Sequence, residues 1–107
     1  MSLVAALDER LRALEPSLVA LRRSLHAHPE LSWQEHATQA RLRAWLADHG
    51  VQSRPCAGTG LVVDVGEGED RILYRGDIDA LPIQERKPEG CAYVSQQRGV
   101  SHACGHD

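Results

Sequence analysis

Residues 60–82 read GLVVDVGEGEDRILYRGDIDALP. Its two apolar runs set the fold class. Gly60–Val65 is short, apolar and β-branched, and Arg71–Gly76 has the same character, so both read as strands. The five residues between them, GEGED, are glycine-rich and suit a hairpin. Val51–Arg54 is a candidate earlier strand. Residues 84–92 read as a polar loop, and YVSQQ, residues 93–97, as a short edge element. Helical patterns precede these strands, so the expected class is α/β with a mixed sheet.

The upstream helices are read from periodicity. Leu3, Leu7, Leu11, Leu14, Leu18, Leu21 and Leu25 recur at steps of three and four, which lays an apolar stripe along one helix face. Pro16 lies inside this pattern. A proline removes an amide and crowds the preceding turn, so two helical pieces or one bent helix are expected, with the break near Glu15. Pro29 stops the pattern. Ser32 and Glu35 are spaced as a capping box for a second helix through residues 35–49, and Gly50 is placed as its left-handed stop. The expected buried face of that helix is Ala37, Ala40, Ala44 and Trp45, with Leu42 and Leu46 nearby. Arg41 and Arg43 are expected in solvent.

Composition narrows the function classes. The chain has 107 residues, 42% of them hydrophobic, which suits one small domain with a core and excludes a disordered composition. A net charge of −3 without a basic run argues against nucleic acid or anionic membrane as partner. No apolar stretch approaches the ~20 residues of a membrane span. Asp8 and Glu9 near the start do not fit a signal peptide, so a cytoplasmic location is expected. Three cysteines, Cys56, Cys91 and Cys104, do not make a disulfide framework.

The chemistry-bearing residues gather in two places. In SHACGHD, residues 101–107, an extended backbone would put His102, Cys104 and His106 on one face, with small residues between them. Imidazole and thiolate suit zinc and other first-row metals; an exposed polar terminus is the alternative. In YRGDIDALP, Asp77 and Asp79 stand two apart where a strand runs out. A carboxylate there can bind a metal or orient a ligand, or can simply serve the turn. Two like charges so close call for a compensating cation. His26 and His28, at a helix end, read as structural. His36 and His49 read as solvated helix residues. There is no C-x-x-C pair to support thiol redox chemistry.

Four blocks then appear in order: LRRSLHAHPELSWQEHAT, GTGLVVDV, ILYRGDIDALPIQE and SQQRGVSHACGHD. Together they resemble the opening part of the aminoacylase, hippurate hydrolase and auxin-conjugate hydrolase group, di-metal amidohydrolases of peptidase family M20, subgroup D. The match runs from about Leu21 to Asp107. Gly76 stands where alanine is usual, and Ser101 where an apolar residue is usual.

The resemblance implies the N-terminal part of a zinc-peptidase-like α/β catalytic domain with a mixed sheet, incomplete within residues 1–107, with the lid or dimerisation domain absent. It implies hydrolysis of N-acyl amino acids or similar conjugates by water activated on two divalent metals, zinc or manganese. Cys104 and His106 map onto metal ligands, and Asp79 onto an orienting residue near the metals. The glutamate pair and further histidines of the family are not among these residues. Alone, the chain is therefore expected to carry part of the site and to be inactive. An open apolar sheet face is further expected to drive self-association, giving a homo-oligomer. The competing reading is a non-catalytic metal-binding or self-assembling module.

Overall fold

The computed structural model describes residues 1–105. Helix α1 spans Leu3–Ala27 and helix α2 His36–Asp48; strands β1, Arg54–Cys56, and β2, Gly60–Val62, follow. The chain is thus a small α/β unit. Parallel and antiparallel pairing both occur: β1 runs antiparallel to β2, Leu31 bridges Ala80 in parallel, and Leu81 bridges Ser101 antiparallel.

Helix α1 starts where Ser2 Oγ accepts the Ala5 amide at 3.2 Å. It is one helix, continuous through Pro16. Of the two expected forms, two separate pieces are excluded. It ends two residues before Pro29, where His28 Nδ1 meets the Ser24 carbonyl at 2.8 Å.

The start of α2 differs from the expected capping box. Ser32 Oγ donates to Asp79 Oδ2 instead, and Glu35, the residue at the N-cap, makes no side-chain cap bond. Glu30 does the capping. Its carboxylate accepts the Ala37 and Thr38 amides and the Thr38 hydroxyl, the last at 2.6 Å. A carboxylate at this end also complements the helix dipole. At the other end Gly50, at φ +73°, provides the expected stop. The Gly50 amide reaches Ala47 O at 3.0 Å and the Val51 amide reaches Leu46 O at 2.9 Å, a Schellman motif.

The face α2 buries is also not the expected one. Ala37, Ala40 and Ala44 are exposed, whereas Thr38 is buried and Leu42, Trp45 and Leu46 are half-buried. The helix is rotated toward α1 by polar ties: Trp45 Nε1 donates to Ser17 Oγ at 3.0 Å, and Arg41, expected in solvent, donates to the Ser24 carbonyl at 3.2 Å. His49 stacks on Trp45 with ring centroids 3.9 Å apart.

The largest departure is at residues 71–76. Gly60–Val65 does not pair with Arg71–Gly76. The partner of β2 is β1, and the segment 63–79 holds no strand. Residues 93–97 form no strand either. Ile72, Leu73 and Tyr74 are 100%, 92% and 93% exposed. Three consecutive apolar residues suit a strand covered on both faces, and the described residues supply no such cover.

The β1–β2 hairpin depends on a close backbone approach. A Cβ at Gly60 would lie 2.9 Å from Cys56 O, its cross-strand partner. Gln39 Nε2 donates to the Gly60 and Gly58 carbonyls at 2.8 and 3.1 Å, which ties the hairpin to α2. Gly60→Ala should therefore destabilise the chain by about 1–3 kcal/mol, read as a lowered urea midpoint; an unchanged midpoint would contradict the packing described.

The core is thin. Among the described residues Ala27 and Ala80 are the buried hydrophobics, while His26, Glu35, Thr38, Thr59 and Ser101 are buried and polar. Hydrogen bonds rather than apolar packing hold the centre.

Candidate metal centre

Three strands of contact bring the chemical groups together. The Ala80 amide donates to the Glu30 carbonyl at 2.7 Å, which docks the GDIDALP segment against the turn after α1. Leu81 and Ser101 exchange both backbone hydrogen bonds, at 2.9 and 3.0 Å, which docks the C-terminal segment against GDIDALP. Ser101 Oγ adds a bond to the Ile83 carbonyl at 2.8 Å. Ala80 and Ser101 are among the most buried residues of the chain, at 2% and 1% exposure.

The result is a cleft of about 370 Å³ whose lining includes Asp77, Asp79, His102 and Cys104. Its lining also includes Leu18, Leu21, Arg22 and Leu25 from α1 and Thr38 and Leu42 from α2. Asp79 is held by the Ser32 hydroxyl at 2.5 Å. Asp77 pairs with Arg75 at 2.7 Å, so the cation expected beside the two carboxylates is a guanidinium from the same segment. The expected straight face of alternating ligands is interrupted. The Ala103 amide turns back to the Ser101 carbonyl at 3.0 Å, and Cys104 and Gly105 form a bend. Cys104 is exposed. His106 lies outside the described residues.

As a donor set, a thiol, an imidazole and two carboxylates fit a divalent transition metal. No three such groups converge on one point among the described residues.

Glu85 is a residue that sequence reasoning missed. It sits in what reads as a polar loop, yet its carboxylate meets His26 Nε2 at 2.5 Å, the Ser95 amide at 2.6 Å and Lys87 Nζ at 3.3 Å. Burial works against its charge, but the Ser95 amide, His26 and Lys87 outweigh burial and hold the carboxyl below its ordinary value. No local signal marks it, because its partner on α1 is 59 residues away.

No family model matches the chain. Relatives do. The chain is 47% identical over 100 residues to an N-acetyl-L-cysteine deacetylase of Bacillus subtilis, covering 91% of the chain and 24% of that protein. It is 44% identical over 103 residues to an N-acetyldiaminopimelate deacetylase of Halalkalibacterium halodurans, covering 88% and 26%. Its fold matches the crystal structure of a dinuclear metal-binding peptidase from the M20 family of Bacillus subtilis. The TM-score is 0.76 at 38% identity, over 89% of this chain and 27% of that one.

The chain belongs to the M20 family. It spans about a quarter of the length of the curated relatives it matches. This M20 segment has no helix long and apolar enough to cross a membrane among its described residues.

Proposed function

We propose that this M20 segment forms one wall of a two-metal amidohydrolase site for N-acyl amino acids or similar conjugates. In this reading residues 1–107 are part of the catalytic domain, without the lid or dimerisation domain. The carrying observation is the single cleft bordered by Asp77, Asp79, His102 and Cys104. The deacetylase names of the relatives support the substrate class.

Cys104 and His106 are the proposed metal ligands, and Asp79 the orienting residue. Two divalent metals, zinc or manganese, would supply a water of lowered pKa and polarise the amide carbonyl. The residues of this chain hold and orient. The Ser32 hydroxyl fixes one Asp79 oxygen and leaves the other for a cationic or N–H partner. Alone the chain is inactive in this reading, since no group among the described residues is placed as general base. Its three free cysteines suit a reducing, cytoplasmic setting.

The test measures zinc content and hydrolysis of N-acetylcysteine, for the chain alone and for the chain extended by the remaining three-quarters of an M20 relative. Expected results are weak zinc binding without turnover for the chain and turnover for the extended protein, both lost in Cys104→Ala. Zinc binding that survives Cys104→Ala would sink the assignment.

A further inference from the structure

The segment that delivers Cys104 to the cleft is tied down by hydrogen bonds. Its buried anchor, Ser101, is polar. Ser95 Oγ donates to the Val100 carbonyl at 2.6 Å and closes the turn before Ser101. The Gln96 amide donates to the Ala27 carbonyl at 2.8 Å and ties that turn to the end of α1. At the start of this chain of contacts stands the Ser95 amide, taken by Glu85.

Glu85 also organises the rings around it. It holds His26, whose ring meets Tyr93 edge-on at 5.9 Å and lies 6.1 Å from the His102 ring. Lys87, its other partner, sits 4.1 Å from the Tyr93 ring centroid, and Arg23 of α1 sits 4.9 Å from it. One carboxylate therefore joins the last turn of α1, the loop at 85–87 and the segment that begins at Ser95. His102, two residues before Cys104, rests beside the histidine that this carboxylate holds.

We propose that Glu85 is a positioning residue that seats residues 95–104, and with them the Cys104 thiol, against the acidic wall of the cleft. The seating stands on the contacts above, and its consequence for metal affinity rests on the metal-centre reading. The carboxylate acts through the Ser95 amide and the His26 ring, and does not itself border the cleft.

The test uses the 107-residue chain with Glu85→Ala and, as the variant of conserved shape, Glu85→Gln. Amide hydrogen exchange is read at Leu81, Gln96 and Ser101, and at Gly50 and Val51 as a remote reference in the α2 stop. In Glu85→Ala, exchange at the first three should quicken about tenfold or more with Gly50 and Val51 unchanged. Glu85→Gln, which keeps an acceptor for the Ser95 amide, should fall between. In parallel Co²⁺ alone is titrated, with the thiolate-to-cobalt absorption that Cys104→Ala removes as the signal. Outer partners of metal sites are worth about 10–100-fold in affinity, so cobalt binding should weaken about tenfold in Glu85→Ala.

Unchanged exchange at Leu81 and Ser101, or equal quickening at Gly50 and Val51, overturns the seating role. Loosened exchange with unchanged cobalt affinity overturns the link to the thiol. If the parent chain shows no Cys104-dependent band, the metal-centre reading fails, while the exchange pattern still decides the seating.

Discussion

Replacing Glu30 with alanine should destabilise the folded chain by about 2–4 kcal/mol, since hydrogen bonds to a charged acceptor are worth ~1.5–3 kcal/mol and a lost helix cap ~1. The carboxylate takes two amides from the first turn of α2 and the buried Thr38 hydroxyl. Without it those donors lose their acceptor, and Thr38 is too buried for water to replace it freely. The Glu30 backbone carbonyl meanwhile accepts from Ala80, so the same residue sets both the start of α2 and the docking of GDIDALP. Glu30→Gln should cost roughly half as much, because an amide oxygen still accepts but carries no charge. Urea unfolding at neutral pH measures both; an alanine cost below about 1 kcal/mol would refute the assignment of the cap.

The same residue sets an acid limit. Burial raises the Glu30 carboxyl, but the Thr38 hydroxyl, the Thr38 and Ala37 amides and the nearby His36 outweigh it, so its pKa is lowered on folding. A carboxyl lowered on folding contributes stability that is fully present above its unfolded value, about 4.3. That contribution is lost as pH falls through the folded value. Glu85 is lowered in the same sense. Stability of the parent should thus be flat in this respect from pH 7 to about 5 and fall below about 4.5. The slope should be shallower in Glu30→Gln. A parent and variant with superimposable acid slopes would contradict the carboxylate's role.

The contrast between the ends of α2 explains what the sequence could carry. Gly50 was legible because a left-handed stop needs a residue without a Cβ, and that requirement is local. The start was not. Ser32 and Glu35 have the spacing of a capping box, but each has a different fate in three dimensions. Ser32 is engaged by Asp79, 47 residues away, and the Glu35 carboxylate is buried, with Oε2 unpartnered among the described residues. A motif template cannot register a competitor such as Glu30 that lies outside it.

Residue type and spacing singled out the two aspartates and the thiol, and all three line one cleft. What fixes them in space, Ser32, Glu85 and the Leu81–Ser101 bridge, depends on pairings across 20 to 59 residues, and no local pattern encodes these. The misread hairpin has the same cause. Residues 71–76 have a strand's composition, but pairing is a property of neighbours, and β1 took the place beside β2.

That unpaired stretch leads to the second large effect. The chain exposes 8598 Å², whereas a folded monomer of its mass exposes about 5,900 Å². Its radius of gyration is 15.9 Å against roughly 13 Å for a compact chain of this length. The excess, about 2,700 Å² per chain, is on the scale of obligate interfaces. It includes Leu3, Leu7 and Leu11 on α1 and the run Ile72–Tyr74. Two copies of an extended segment can pair antiparallel about a twofold axis, satisfying backbone groups and covering side chains together. The chain should therefore sediment as dimers or larger species at micromolar concentration. Burying Ile72 or Tyr74 is worth about 1.5–3 kcal/mol each. The double substitution Ile72→Lys with Tyr74→Lys should consequently weaken association by about 100-fold or more, since each tenfold is ~1.4 kcal/mol. Val4→Lys separates charge from location. It adds a lysine at another exposed apolar position, near the start of α1, and should leave association driven by residues 71–76 largely intact. A parent that sediments as a monomer and binds no apolar dye would show that this surface closes on its own chain, and the strand-pairing argument would fall with it.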